Sequence, residues 1–395
     1  MKKLLIVSAL LAVSSAPAFA QADSALAISK SGANLLRLNV DAGFVVNGAE
    51  DTGLIPRTGA GTRLMWFPSK YAFRAGKVDS FGATYWDAAE IGKGSVALGE
   101  NSRASGDHSF AANLATTASG DESVALGNNG TASADRAFAF NGQASGVGAV
   151  AIGSGAQATN DDALAMGPSS IAGGLASIVI GPSIANGSFG VAIGLQNSAS
   201  GNFSVAIGKN ARTANRQGSV VLGDGCAGFS SDSVYPTANN QFIARGCGGI
   251  KMFTSQNLSS GVELAAGGSS WSSVSDRNMK ENFSRLDGED VLKRIRAVPV
   301  SSWNYKAQDR SIRHIGPMAQ DLFAAFNVGE SNLRINTIDI DGINLAGVRA
   351  LDERTAKQEM RMESLERSNA ELRKRNEELE ARLRKLEEML NVDEN

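Results

Sequence analysis

The chain has 395 residues, is rich in glycine (44 residues), poor in aromatic residues (6%) and carries a net charge of −2. A near-neutral chain has no long-range field to attract DNA or RNA, so a nucleic-acid-binding function is not expected. The length suffices for two or three domains, but this composition does not suit a conventional globular enzyme core.

The first 20 residues have the pattern of an export signal. Lys2 and Lys3 precede the apolar stretch 4–13, and Ala18–Ala20 is a small-residue cleavage site, so the mature chain is expected to begin at Gln21. No later segment offers the roughly 20 apolar residues that a membrane helix needs. We therefore expect an exported protein, secreted, periplasmic or held at the cell surface, with no transmembrane segment after signal removal.

Residues 21–90 form a separate N-terminal segment with two of the four tryptophans, Trp66 and Trp86. We interpret it as a small β cap, because the first coil of a repeat array needs to be covered. An aromatic binding surface is the alternative interpretation.

A five-residue motif recurs from Ser95 onward. The sequence SVALG at 95–99 returns at 123–127 and, with small changes, at 149–153, 190–194 and 204–208. Asn113 and Asn141 replace the motif glycine, and asparagine also tolerates a left-handed turn. Within the motif, strand alternation places Val96 and Leu98 on one face and the small Ala97 on the other.

The spacing of the motif predicts a solenoid. Position 99 steps by 14 residues to 113, 127 and 141, so one coil is expected to contain 14 residues. About ten coils at roughly 4.8 Å each would give a rod on the order of 50 Å long. A disordered linker is the alternative, but a linker has no reason to keep Val-Ala-Ile in register.

The array at 91–228 resembles the head repeats of trimeric autotransporter adhesins. The motif SVAIG at 204–208 is the sequence that carries the resemblance. It implies a left-handed parallel β-roll, a homotrimer and a role in surface contact.

The two cysteines, Cys226 and Cys247, lie where the array ends. In an oxidising destination they could form a disulfide, and two separate thiols are the alternative that the sequence leaves open. Two cysteines do not make a metal site, and no cofactor is expected. The Gly/Ser-rich segment 229–274 reads as a neck.

The character of the sequence changes at Ser275–Lys280 (SDRNMK), between the array and a charged segment. A serine and a lysine at such a boundary could form a self-cleaving pair, since a hydroxyl needs a base to become a nucleophile. Without further motifs, an ordinary polar turn is the simpler interpretation.

Residues 275–350 have the mixed pattern of a small α+β domain. Apolar spacing predicts helices at 291–295 and 318–326, with Pro317 as the first helical residue. Strands are predicted at 298–305 and 334–338. Asp339 and Asp341 are predicted to cap a long terminal helix.

Three ordered motifs resemble the C-terminal intramolecular chaperone of endosialidases and other phage tail-spike proteins. They are Ser275-Asp276 with Lys280, then WNY at 303–305, then HIGPMAQD at 314–321, within about 271–352. The resemblance implies a domain that trimerises a β-rich fibre and then cuts itself off between Val274 and Ser275. Ser275 would be the nucleophile and Lys280 its base.

The lysine base sets a condition on this chemistry. A solvated lysine has a pKa of about 10.4, whereas burial can lower it toward roughly 7–8. A shift of about three units costs on the order of 4 kcal/mol, which assembly must supply. We therefore expect a single-turnover serine autoprotease that is silent as a monomer and active as a trimer.

Geometry adds a constraint on the pair. Five residues along an α-helix leave two side chains roughly 140° apart, so Ser275 must lie in an extended or bent lead-in, or Lys280 must serve a neighbouring copy. Asp276 is expected to orient Lys280 or stabilise its charged form. For His314, structural and catalytic roles both stay open.

Residues 351–395 have the pattern of a coiled coil. Leu365, Leu372, Leu379 and Leu386 take position d of the heptad, and position a includes Asn369 and Asn376. Asparagine at a with leucine at d favours two strands, whereas the solenoid and the chaperone resemblance imply three. We expect three.

The sequence thus predicts a mainly β protein with a trimeric β-roll head, a small α+β chaperone domain and a helical coiled coil. The expected function is an exported, adhesin-like homotrimeric fibre that trims itself. The alternative is a structural trimeric adhesin whose trimerisation domain is never cut.

Overall fold

The computed structural model describes residues 24–30, 33–39, 43–226 and 232–392. The predicted signal at 1–20 and the expected mature start, Gln21, lie outside these residues. The chain divides into two compact units whose boundary falls between Val274 and Ser275. In the part that the structure describes, no helix is long and apolar enough to cross a bilayer.

The described part of the first unit starts with a small antiparallel sheet and a hairpin. Strands β1 (Ser24–Lys30), β2 (Ala33–Asn39) and β3 (Gly43–Val46) form the sheet. The hairpin consists of β4 (Gly61–Phe67) and β5 (Ala72–Val78), joined through the 3₁₀ turn Pro68–Lys70.

Strand β5 covers the first coil of the repeat array. It pairs in parallel with β6 (Val96–Glu100), in the register Arg74 to Ala97. Trp86 is fully buried near the hairpin, and its indole N–H donates to the Ser102 carbonyl at 2.8 Å. The hairpin therefore lies where a cap is needed, and Trp86 belongs to a core rather than to a binding surface.

The array forms a parallel β-solenoid of about nine turns over residues 96–223, close to the ten expected. Each turn contributes one long and one short strand. After β6, the long strands are β8 (Phe110–Leu114), β10 (Val124–Asn128), β12 (Phe138–Phe140), β14 (Val150–Ile152), β16 (Leu164–Met166), β18 (Ile178–Ile180), β20 (Val191–Leu195), β22 (Val205–Lys209) and β23 (Val220–Gly223). The short strands are β7 (Arg103–Ala104), β9 (Thr117–Ala118), β11 (Thr131–Ala132), β13 (Gln143–Ala144), β15 (Gln157–Ala158), β17 (Ile171–Ala172), β19 (Ile184–Ala185) and β21 (Ser198–Ala199).

The interior of the solenoid is built almost entirely from alanine. Ala97 on a long strand and Ala104 on a short strand are fully buried, and their equivalents repeat along the array. Strand alternation puts Val96 and Leu98 on the face opposite to Ala97, as predicted, and the structure shows that this is the outer face. The left-handed backbone at the motif glycine is also present, with φ values of 105° at Gly99 and 94° at Asn113.

The segment predicted as a neck begins as a further rung of the solenoid. Strand β24 (Phe242–Ala244) pairs in parallel with β23, and a disulfide joins Cys226 to Cys247 in this region. A three-stranded antiparallel sheet follows, made of β25 (Ile250–Phe253), β26 (Gly261–Leu264) and β27 (Trp271–Ser273).

The second unit contains three helices and one strand pair. The helices are α1 (Gly288–Ala297), α2 (Ala319–Phe326) and α3 (Thr337–Val392), and β28 (Ser301–Trp303) pairs antiparallel with β29 (His314–Gly316). Helix α1 begins because the Asp287 carboxylate accepts from the backbone N–H groups of Glu289 and Asp290. The buried side chains of this unit include Val291, Leu292, Leu322, Ile343 and Ala350.

Three local predictions for this unit are wrong. Residues 334–338 do not form a strand, because α3 begins at Thr337. The side chain of Asn336 accepts from the Ile338 N–H at 3.1 Å, so Asn336 caps α3 and Asp339 and Asp341 lie inside it. Pro317 precedes α2, whose N-cap is Met318.

Candidate functional site

Strand β27 leads directly into the predicted cleavage position. The Val274 N–H donates to the Gly261 carbonyl at 3.3 Å, which extends the antiparallel ladder by one residue. Gly261 is required there, because a Cβ would meet the Met252 carbonyl oxygen at 2.3 Å. The sheet therefore fixes the residue that would supply the acyl group.

A single 3₁₀ turn brings Ser275 and Lys280 together. Asp276 is extended and caps the turn Arg277–Met279 by accepting from the Asn278 N–H at 2.9 Å. Lys280 leaves the turn in an extended conformation, and its Nζ donates to the Ser275 Oγ at 2.6 Å. The chain takes the bent path that the spacing required, and the pair forms within one chain.

The pair is open to water in the single chain. Ser275 and Lys280 are both exposed, and so are the neighbouring apolar side chains of Met279, Phe283 and Leu286. The Arg277 guanidinium lies 5.9 Å from the Phe283 ring centroid. An exposed apolar group of this kind marks a surface that a further copy of the protein could cover.

His314 is placed by aromatic packing. Its ring lies 4.9 Å from that of Trp303 and 5.4 Å from that of Tyr305, and its Nε2 is 2.9 Å from the Gln308 Oε1. Within the described ranges, no hydrogen bond joins His314 to Ser275 or Lys280. The arrangement gives His314 a place in an aromatic cluster that links β28 to β29.

Asp276 is committed to the turn. Its carboxylate accepts from the backbone rather than from Lys280, and no ion pair joins Asp276 to Lys280 in the part of the second unit that the structure describes. Asp276 thus fixes the turn that lies between Ser275 and Lys280.

The disulfide lies in a small polar network in the first unit. The Asp224 carboxylate accepts from the Cys247 N–H and, at 2.8 Å, from the Arg245 side chain. These hydrogen bonds, with that of the Cys247 N–H contributing most, hold the pKa of Asp224 below its usual range. The network fastens β24 to the end of the solenoid.

Two long apolar surfaces of the single chain are exposed to solvent. The outer face of the solenoid exposes a third or more of the Phe140, Ile178 and Ile180 side chains. Along α3, the leucines at position d are about half exposed, as in Leu372 and Leu379. Apolar stripes of this length are typical of surfaces that pack against other copies of a chain.

A solenoid rod followed by a small α+β domain and a long helix defines a fibre protein with a C-terminal assembly domain. Comparison with known families supports both parts. Residues 275–328 match the family described as the chaperone of endosialidase. Copies of the YadA head domain repeat match residues 91–112, 118–140, 144–170, 158–183 and 185–211.

Both resemblances predicted from the sequence are confirmed, over somewhat shorter ranges than 271–352 and 91–228. The chaperone match implies autoproteolytic chemistry, and chaperone domains of this family act in trimers. The two matches together indicate a trimeric, adhesin-like fibre with an intramolecular chaperone. No curated protein matches the chain.

Proposed function

We propose that the protein is exported, assembles as a homotrimeric adhesin-like fibre, and cuts itself once between Val274 and Ser275 when assembly is complete. The observation that carries the proposal is the distance of 2.6 Å between the Lys280 Nζ and the Ser275 Oγ. The boundary between the two compact units at the same peptide bond supports it. The cut would separate the solenoid from the domain that assembled it.

The cleavage proceeds in two steps. Neutral Lys280 accepts the hydroxyl proton of Ser275, and the oxygen attacks the Val274 carbonyl carbon. The bond from that carbon to the Ser275 nitrogen breaks, Lys280 returns the proton to the nitrogen, and an ester joins Val274 to the Ser275 Oγ. Water then hydrolyses the ester, which leaves a carboxylate at Val274 and restores the serine hydroxyl. No cofactor takes part.

Assembly is the proposed trigger. In the single chain the Lys280 amine is solvated, and a solvated ammonium group cannot accept a proton. Three copies that pack around Met279, Phe283 and Leu286 would exclude water from the pair, and burial lowers the pKa of a lysine amine. The cut therefore reports that the trimer has formed.

We assign structural roles to the two other residues of the predicted site. Asp276 shapes the turn that brings Lys280 to Ser275, since it caps Arg277–Met279. We assign His314 to the aromatic cluster with Trp303 rather than to proton transfer.

The test is a denaturing gel of purified full-length protein, with N-terminal sequencing of the fragments. We expect a C-terminal fragment that begins at Ser275. Ser275→Ala should abolish it, and Lys280→Ala or Lys280→Arg should slow its formation by at least about 10²-fold, the usual contribution of a general base. Control variants at exposed residues of the same types, Ser273→Ala and Lys293→Ala, should cut normally.

A full-length band for the trimeric wild type under all conditions would contradict the proposal. That result would favour the alternative function, a structural trimeric adhesin whose assembly domain stays attached. A fragment that begins elsewhere would reject the assignment of Ser275.

A further inference from the structure

The turns that precede the long strands of the solenoid form one corner of the rod, with two stacked columns of side chains. In the first column a carboxylate or amide accepts a backbone N–H from the preceding coil. Asp121 accepts from the Asp107 N–H at 2.9 Å, and Asn202 accepts from the Ser188 N–H at 3.1 Å. In the second column every residue has a left-handed backbone. Its φ values are 57° at His108, 59° at Glu122, 58° at Arg136, 55° at Asp162, 48° at Ala176, and 56° at both Phe189 and Phe203.

The chemistry of this corner changes along the rod. From Asp107 to Asp162 the two columns carry carboxylates, a histidine and an arginine. From residue 175 onward they carry no charge. The uncharged residues of the two columns are Leu175, Ala176, Ser188, Phe189, Asn202, Phe203, Gln217, Gly218, Asn239 and Asn240.

Two phenylalanines dominate the uncharged part. The rings of Phe189 and Phe203 stack in consecutive coils, with centroids 5.2 Å apart and planes that differ by 2°. About half of each side chain is exposed, 48% for Phe189 and 57% for Phe203. A bulky residue with this backbone is a strained exception, so the left-handed position does not by itself select phenylalanine.

The stack has one open end. The residue at the same corner position is Ala176 in the coil before Phe189 and Gly218 in the coil after Phe203, so neither supplies a further ring. At Gly218 the Asn240 amide occupies the space, since an added Cβ would meet its Oδ1 at 2.2 Å. A flat ligand ring can therefore continue the stack on the Ala176 side, and the other end carries an amide.

Oriented amide groups lie in the first column of the same corner. The Oδ1 atoms of Asn202 and Asn239 accept backbone N–H groups, which fixes the planes of both amides. Their NH₂ groups donate to no other group in the described ranges, so they remain as donors for a ligand. Because the solenoid holds them, binding needs little reorganisation.

We propose that the Phe189–Phe203 corner binds an uncharged oligosaccharide. The negative faces of aromatic rings attract the weakly positive C–H groups on the flat side of a sugar ring. Fixed amides match sugar hydroxyls, and the absence of charge in the two columns from residue 175 onward disfavours phosphorylated, sulfated or uronic-acid polymers. This site is separate from Ser275 and does not depend on self-cleavage.

The probes are cellohexaose, mannohexaose and chitohexaose, with a hexauronate as the charged comparison, each measured against the full-length protein by biolayer interferometry. We expect one neutral hexasaccharide to bind more tightly than the hexauronate. The double variant Phe189→Asn/Phe203→Asn should weaken binding at least tenfold, because the stacked rings are lost. Its melting temperature should be unchanged or raised, because asparagine accepts the left-handed backbone readily.

The matched control is Glu122→Asn/Arg136→Asn, which makes the same replacement in the same column at the charged end and should leave binding unchanged. Phe203→Gly is a second binding variant that keeps the backbone conformation. Three results would overturn the proposal: no neutral hexasaccharide binds at millimolar concentration, the double variant binds like the wild type, or the double variant dissociates the oligomer. The last result would show that another copy covers the corner.

Discussion

A buried arginine, Arg74, lies at the end of the solenoid interior, next to the first coil. Arg74 occupies on β5 the register position that Ala97 occupies on the next strand, and it is fully buried. Its guanidinium donates to the carbonyl oxygens of Ser95 and Ala104 and to the Ser95 hydroxyl, at 2.8 to 2.9 Å. Loss of solvation lowers its pKa from the ordinary arginine value to about 10.

Replacement of Arg74 by methionine should destabilise the cap. The variant keeps the length of the side chain but removes the donors to Ser95 and Ala104, so the free energy of unfolding should fall by about 2 kcal/mol. Lys77→Met is the control. Its exposed ion pair with Glu100 should contribute less than about 1 kcal/mol. Denaturant titration checks both, and equal stability of the two variants would reject the role of Arg74.

The lowered pKa of Arg74 also predicts the direction in which the stability of the protein changes with pH. Below pH 10 both the folded and the unfolded states hold the proton, and the desolvation cost is fully present. Above pH 10 the folded state releases the proton before the unfolded state does, so the wild type should gain stability relative to Arg74→Met as the pH rises.

At the scale of the element, each coil reverses the usual arrangement of a core, in which the large apolar side chains point inward. Small Ala111 points inward and is fully buried, whereas the larger side chains of the same column of strands point outward. The two walls can approach closely because alanine lines both of them. Each coil buries little apolar area, so it needs stacked neighbours on both sides.

Two adjacent alanines should therefore respond oppositely to enlargement. Ala111→Leu forces three extra carbons into a closed interior and should cost about 3 kcal/mol or more. Ala112→Leu lies on the outer column, where Leu98 and Leu126 already occur in the neighbouring coils, and should be neutral or stabilising. Thermal melts of the two variants check the prediction, and similar losses in both would contradict the inward and outward assignment.

The repeat made most of this architecture predictable. Fourteen-residue periodicity and two-residue alternation predicted the solenoid, the separation of alanine from the larger residues by face, and the left-handed position at Gly99, but not that alanine lines the interior. The second left-handed column was missed, because His108, Glu122 and Phe189 share no residue type that indicates the conformation. The start of α3 was misread as a strand, because the β-branched residues Ile335, Thr337 and Ile338 favour a strand. Asn336 nevertheless caps the helix there.

The site was predictable in its members but not in its geometry. The spacing of Ser275 and Lys280 excluded a regular helix, and the structure provides a capped 3₁₀ turn instead. The sequence did not point to Arg74, because its role follows from the register of β5 against β6 rather than from a motif.

At the scale of the whole molecule, each region leaves apolar surface that a single chain does not cover. Sheet β25–β27 exposes about half of the Met252 and Trp271 side chains, and a sheet of three strands with no covered face is only marginally stable. The solenoid and α3 expose further apolar stripes. Because alanine contributes little burial energy, association must supply much of the stability of the fibre.

If α3 packs as the predicted coiled coil, it should control the proposed self-cleavage. Leu372→Glu/Leu379→Glu places charges at two d positions and should convert the trimer to monomers, measured by sedimentation equilibrium. The Ser275–Lys280 pair stays intact in this variant, yet the amine remains solvated, so the C-terminal fragment should be absent. Ala370→Glu/Ala381→Glu adds the same charge on the outer positions of α3 and should leave trimer and cut unchanged. A monomer that severs itself at the rate of the trimer would show that the lysine needs no assembly to act as a base.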